Sequence, residues 1–399
     1  MTRRRLRPHM IRLAVIAATV GALIAGFGAP GPAGAAPPLT VTPVASNLDR
    51  PWDIEVAPDG TLLTGERSGR FVAVLPGGAQ RTIRADLSDL FVAGESGLMG
   101  LALDRRFAEN RRVYSCQAEA TSGAAVSVPG SVGSLPLPWP NTGQVINIVA
   151  WRVNENWSQM TRERTVLTGI PLRANGRHGG CGLTAAPDGT LWVGTGDNAI
   201  PTNPQDRNSL GGKVLHINTN GSPAAGNPNP RSPIYTLGHR NVQGVAIQAG
   251  SGRVYAIEQG TDRDDELNLL RAGANYGYKP DRLPIIYDES VPMTDPVRVP
   301  GAVGAVWSSG EPTIATPALA FLPSSGWGAL NGAVVISSQQ GKRLVFITLN
   351  EAGNRVVTTS DALADMHGRL RALAVDSDGS LLVGTDNGDD SILRVRPAG

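Results

Sequence analysis

The sequence predicts an all-β chain, folded as a six-bladed propeller of four-stranded antiparallel blades. Three observations carry this. First, no stretch beyond the N-terminal leader shows a convincing helical period. Second, the 399 residues include 49 Gly and 30 Pro, which suits many short strands joined by turns. Third, one short phrase recurs six times: an apolar strand, a turn with Asp-Gly or Gly, then a β-rich strand.

The phrase reads VAPDGTLLTGE around Asp59 and LDRRFAENRRVYSCQ around Asn110. It returns as AAPDGTLWVGTGD at Asp188 and as AGSGRVYAIEQG at Gly252. GALNGAVVISSQ at Gly332 and VDSDGSLLVGTD at Asp378 complete the series. The copies lie roughly 45 to 80 residues apart, and each has hairpin turn chemistry in place. Six hairpins fit one per propeller blade, or a β-sandwich with repeated hairpins; the long, near-uniform spacing favours the propeller. The wider gaps, between the second and third copies and between the fourth and fifth, place insertions there. Thr121–Pro140 is rich in Gly, Ser and Pro and reads as a loop capping one mouth of the propeller. No linker divides the chain, so residues 37–399 read as a single domain.

Residues 1–36 read as a cleaved secretory signal. Arg3, Arg4, Arg5 and Arg7 form a positive start, Leu13–Ala29 is uncharged and mostly apolar, and small residues follow. The alternative is a retained anchor, but the run is short for a membrane span and ends in Pro and Gly. Removing the segment shifts the net charge from +2 to about −3, because it holds five Arg and no acid. The basic balance thus belongs to the leader, and neither a nucleic-acid surface nor membrane attachment is expected after cleavage. The protein is expected outside the cytoplasm. Cys116 and Cys181 are the two cysteines, read as one disulfide or as two buried thiols. Their spacing does not match a zinc site.

Four segments are more polar than a scaffold needs. NGRHGGCG sets His178 among glycines, where a ligand can approach an imidazole suited to general-base work; the plainer reading is a His bonded to its loop. GHRNVQG sets His239, Arg240 and Asn241 side by side, fit for an oxyanion or carbonyl, or for an ordinary ion pair. EQGTDRDDELN gathers Asp262, Asp264, Asp265 and Glu266 beside Gly260, reading as oxygen ligands for Ca²⁺ or as a solvated acidic turn. GRLRALAVDSDG puts Arg369 and Arg371 two apart, hence on one face of a strand, either gripping a carboxylate-rich ligand or lying in a solvated stripe.

In this order the segments resemble the glucose/sorbosone dehydrogenase family. The likeness runs from LDRPWDIEVAPDG to ILRVRP and includes GLMGLALDRRF, LGGKVLHINTNG, GHRNVQG and DDELNLLRAGANYGY. The paired cysteines and PMTD…AVWSSGEPTIAT resemble a secreted actinobacterial-type branch. The resemblance implies a six-bladed propeller that oxidises an aldose or related alcohol with pyrroloquinoline quinone (PQQ) and calcium. A small sugar and an external electron acceptor are the partners it implies. His178 matches the base that takes the substrate hydroxyl proton, and Arg240 the group that polarises the quinone. Asn241 lies in the cofactor-contacting motif, and Arg369 and Arg371 match the arginines that pair with PQQ carboxylates. Gly260 and Thr261 match the carbonyls that hold calcium beneath PQQ; Glu266 and Tyr276 match positions at a structural calcium.

The chain departs from the family pattern at four points. Gln340, in SQQGKRL, stands where a PQQ-contacting Lys is usual, with Lys342 two residues on. Glu95 stands where a cofactor-contacting Gln is common, and its carboxylate is expected to repel a tricarboxylate unless it is protonated or metal-bound. Thr261 replaces a common Pro, and Arg177 stands where some members have Asp. The competing functions are a sugar-binding propeller without PQQ and a calcium-dependent hydrolase of lactonase type. The hydrolase needs acids converging on one open metal, whereas here they cluster in a single loop.

Overall fold

The computed structural model describes residues 36–120, 143–283 and 286–398. All but the last residue of the expected leader (residues 1–36) and the loop Thr121–Pro140 lie outside the described residues. The chain forms six four-stranded antiparallel sheets arranged as propeller blades. Their inner strands are Pro51–Val56, Leu98–Leu103, Gly180–Ala185, Val242–Ile247, Leu319–Phe321 and Leu370–Val375. Each contacts the next, and the last contacts the first. Among the described residues, helix is confined to the four residues Phe107–Asn110 and a 3₁₀ turn at Gly328–Leu330.

The six repeated phrases are the first hairpins of the six blades. In three of them the Asp-Gly turn is built identically. Asp59, Asp188 and Asp378 each accept the backbone N–H two residues on, at 3.0, 2.9 and 2.9 Å. The following Gly60, Gly189 and Gly379 take positive φ of 80°, 88° and 81°. The turn is thus set by local chemistry, Asp bonding its own backbone and Gly supplying the left-handed residue.

The core lies between blades. Phe71 of the first blade meets Trp151 of the second edge-on, centroids 5.6 Å apart, both rings fully buried. Blade strands read as near-continuous apolar runs because both faces are covered, as in the burial of Leu381–Thr385. Between the second and third blades the apolar cluster is crossed by a disulfide, Cys116–Cys181, with Cα atoms 6.3 Å apart. This settles the cysteine question in favour of the bond.

The ring is closed by its ends. Leu39–Leu48 forms the outer strand of the last blade, pairing Leu39 with Pro397 and Val41 with Val395. The buried Asp390 carboxylate accepts Arg50 N at 2.9 Å, at the start of the first blade, and Thr385 Oγ1 at 2.8 Å within the last.

An axial channel of about 550 Å³ runs between the inner strands. Asp53 and Glu55 line it from one strand, two residues apart and so on one face. Burial pushes the Asp53 carboxyl from its ordinary 3.8 up to about 7, against hydrogen bonds from Leu101 and Ile54 and the charge of Arg371. Burial, then repulsion from Asp53, raises Glu55 well above the carboxylate range. The folded state therefore keeps protons that the unfolded chain releases. That contribution is complete below the ordinary carboxylate values and is lost as pH rises through about 7.

Two outcomes follow from these features. Replacing Cys116 and Cys181 together with Ala lowers the unfolding free energy by about 4 kcal/mol, read as a lower urea midpoint; an unchanged midpoint would remove the bond from the stability account. Thermal melts of Glu55→Gln show a smaller loss of Tm between pH 5 and pH 8 than the parent, because the like-charge pair is gone.

Candidate functional site

The polar segments meet at the end of the propeller where the inner strands begin. His178 sits in the turn entering the third inner strand, with φ of 50° and 4% exposure. Its Nδ1 lies 2.8 Å from Asp197 Oδ1. Asp197 Oδ2 accepts the Tyr287 hydroxyl at 2.6 Å, and Oδ1 accepts Ala199 N at 2.8 Å. A carboxylate accepts only, so Nδ1 carries the proton and Nε2 keeps its lone pair. Among the described residues none hydrogen-bonds Nε2. Burial, then Asp197, raises the Tyr287 phenol well above its usual range, so it remains a donor. The turn closes tightly on the next hairpin: a Cβ on Gly196 would stand 1.9 Å from the His178 carbonyl oxygen. Behind Asp197, the fully buried Lys213 ammonium donates to the carbonyls of Asn203, Pro204 and Gly211, tying down the loop that follows Asp197.

Arg240 enters from the fourth blade. Its backbone N–H donates to Glu258 at 2.7 Å, Nη1 to the Gln259 carbonyl at 3.0 Å, and Nη2 to Glu289 at 2.7 Å. Its Nε is buried without a partner. Burial works against its charge, but Tyr287, Tyr278, Asp197 and Glu289 outweigh that and raise its pKa.

Arg371, 5% exposed, lies on the sixth inner strand. Its guanidinium carbon sits 3.2 Å from the centroid of the Trp52 ring. One nitrogen reaches Gln243 at 3.3 Å, another lies 3.7 Å from Asp386, and Nε is unpartnered. Burial pushes its pKa down to about 10. Arg369 also lies 3.7 Å from Asp386, so both arginines approach one carboxylate of the protein.

Glu95 is engaged within the protein. One oxygen accepts the His178 backbone N–H; the other accepts Asn241 Nδ2 at 3.0 Å and Gln243 Nε2 at 2.9 Å. Its charge is absorbed by three donors, and it ties the third blade to the fourth. Asn241 completes the knot, accepting Gly180 N at 3.0 Å through its other amide atom. Both ends of the Asn241 amide are thus engaged within the protein.

Gln340 is exposed at the loop after the strand Val334–Ser337. Its neighbour Gln339 turns inward and bonds Asp386 and, at 3.4 Å, Gln259. Lys342 lies 3.9 Å from Asp365.

The acidic loop does not gather its carboxylates. Asp265 accepts Gly260 N, Thr313 Oγ1, Ile314 N and Ala315 N, at 2.6–3.0 Å. Asp264 takes Ser308 and Arg263. Among the described residues there is no group of three or more His, Cys, Asp or Glu placed to hold a metal. A metal here would rest chiefly on carbonyls. Gly260 is buried, and among the described residues no donor reaches the carbonyl oxygens of Gly260 or Thr261. A Cβ on Gly260 would stand 2.0 Å from the Arg263 carbonyl oxygen, so the loop needs glycine there.

Glu266 and Tyr276 sit one layer back. Burial, then Glu258, raises the Glu266 carboxyl well above its usual range. Tyr276 stacks on His239, centroids 4.7 Å apart, and donates to the Leu269 carbonyl at 2.5 Å.

Sequence reasoning missed Asp197, Tyr287, Glu289 and Asp386. Asp197 was visible in the quoted GTGD. Tyr287 and Glu289 come from the insertion between the fourth and fifth repeats, which the spacing located without showing where its side chains go.

The family model Glucose / Sorbosone dehydrogenase matches residues 48–394. The aldose sugar dehydrogenase of Escherichia coli is 25% identical over 373 residues, covering 90% of this chain and 93% of its own. A glucose dehydrogenase-type oxidoreductase of Thermus thermophilus superposes with a TM-score of 0.72 at 31% identity, covering 90% of this chain and all of its own. The PQQ-bound aldose sugar dehydrogenase of Streptomyces coelicolor gives 0.73 at 28%, covering 90% and 99%. With the match spanning all six blades, this chain belongs to the glucose/sorbosone dehydrogenase family.

Proposed function

We propose that the protein is a PQQ- and calcium-dependent sugar dehydrogenase that oxidises a hydroxyl of an aldose or related alcohol. The observation that carries this is the pairing of His178 with Asp197, which leaves Nε2 without a partner, while the buried guanidinium of Arg240 acts electrostatically on that same Asp197 and on Tyr287. His178 takes the proton of the substrate hydroxyl at Nε2, and Asp197 stabilises the imidazolium that forms. When bound, PQQ would supply the two-electron acceptor for the hydride of the carbon that bears that hydroxyl. Arg240, with its Nε donor unsatisfied, offers charge and a hydrogen bond to oxygen that gains negative charge as the bond breaks.

The residues fit the cofactor. Arg371 and Arg240 are buried cations with unpartnered donors, which is costly unless an anion completes them. Arg371 and Arg369 would hold carboxylates of the tricarboxylate cofactor, and Trp52 would back Arg371 from below. Asn241 acts by fixing the His178 turn through Gly180 and Glu95. The open carbonyls of Gly260 and Thr261 suit a hard cation. A second cation beside Glu266, with Tyr276 close by in the chain, would relieve its repulsion from Glu258.

Residues 1–36 are proposed as a cleaved export signal, leaving residues 37–399 as one propeller domain outside the cytoplasm. The disulfide accords with an oxidising compartment. Among the described residues no helix is long and apolar enough to cross a membrane.

Reconstitution of the 37–399 protein with PQQ and Ca²⁺, followed by dye reduction against a panel of aldoses, tests the reading. Sugar-dependent turnover is expected; failure to bind PQQ would leave the sugar-binding propeller as the better account. His178→Ala lowers turnover by about 10²–10⁴-fold with an unchanged circular dichroism spectrum, and retained turnover would exclude it as the base. Arg371→Ala weakens PQQ binding by about tenfold or more in an absorbance titration, whereas equal affinity would place the cofactor elsewhere.

A further inference from the structure

The mouth of the site holds one carboxylate that the proposed chemistry does not use. Glu289 Oε1 accepts Arg240 Nη2 at 2.7 Å, and Oε2 accepts Arg177 Nη2. The three side chains grade outward, from Arg240 at 7% exposure through Glu289 at 34% to Arg177 at 44%. The Arg177 guanidinium lies 5.9 Å from the centroid of the Tyr287 ring, whose hydroxyl bonds Asp197. Glu289 therefore stands at the entrance to His178 and Arg240, not in the outer scaffold. Burial opposes its charge, but Arg240 and Arg177 outweigh it and hold the carboxyl below the usual range. It is an anion at neutral pH.

Two guanidiniums bridged by one carboxylate form a seat that any carboxylate of similar size can use. While Glu289 fills that seat, an incoming anion must displace it or lie beside a like charge. A neutral polyol meets neither obstacle and finds donors and acceptors on both partners. We infer that Glu289 sets the charge selectivity of the mouth: it fills the carboxylate seat between Arg177 and Arg240, so that neutral sugars enter and sugar acids are turned away. The consequence for turnover rests on the dehydrogenase reading. An aldose oxidised at its anomeric carbon gives a lactone, and water opens the lactone to an aldonate, which is such an anion. The filled seat thereby limits inhibition by the enzyme's own product.

The seat can be tested without cofactor. Calorimetric titration of the PQQ-free protein with glucuronate and with glucose, at low ionic strength, separates charge from sugar recognition. Glu289→Gln and Glu289→Ala each bind glucuronate about tenfold tighter than the parent, with glucose affinity little changed. Adding Arg177→Ala to Glu289→Ala abolishes the gain. Glucuronate affinity that is equal in parent and folded Glu289→Gln, or a gain that survives Arg177→Ala, overturns the inference. In the reconstituted enzyme, Glu289→Gln lowers the gluconate inhibition constant by about tenfold; no change there overturns the product-inhibition consequence. If no sugar is oxidised yet the cofactor-free gain appears, the dehydrogenase reading fails and the seat stands.

Discussion

Closure of the ring is the constraint on which the rest depends. The outer strand of the last blade comes from Leu39–Leu48, so the sixth sheet is complete only when this segment meets Asp390–Pro397. Asp390 then clasps the backbone at Arg50, where the first blade begins. The residues of the mouth come from every part of the chain: Glu95 from the second blade, His178 from the third, Arg240 from the fourth and Arg371 from the sixth. No local structure brings these together. They converge because six inner strands start on one rim of a closed ring, which also leaves no open inner edge.

Within that rim, carboxylates do the organising and guanidiniums remain to be satisfied. Glu95, Asp197 and Asp265 each take several donors and so fix turns and rotamers. Arg240 and Arg371 are buried with donors left over. A buried acid saturated by N–H groups is a structural element; a buried cation with an empty donor is a demand for a ligand. This asymmetry makes the mouth read as a site for an acidic cofactor.

The fold was legible because its signal is local. Asp59, Asp188 and Asp378 build their turns from the residues beside them, so six turns could be read as six blades. Arg369 and Arg371 were legible for the same reason, since strand period alone places them together. The partners of Glu95 were not legible, because they lie 83 to 148 residues away. The acidic loop misled in the opposite sense: its neighbours in sequence diverge in space, with Asp265 turned onto Gly260 and the Thr313–Ala315 backbone. Tyr287 and Glu289 had no local signature, because an insertion reveals its length but not the direction of its side chains.

The bond between Cys116 and Cys181 has a bearing on timing. Cys181 follows His178 by three residues, and its partner belongs to the neighbouring blade. The strand that follows the turn bearing the proposed base is thus fastened sideways only after two thiols have been oxidised. A copy that still carries both thiols presents the same imidazole on a strand without that clamp. Completing the clamp therefore needs surroundings that favour disulfides.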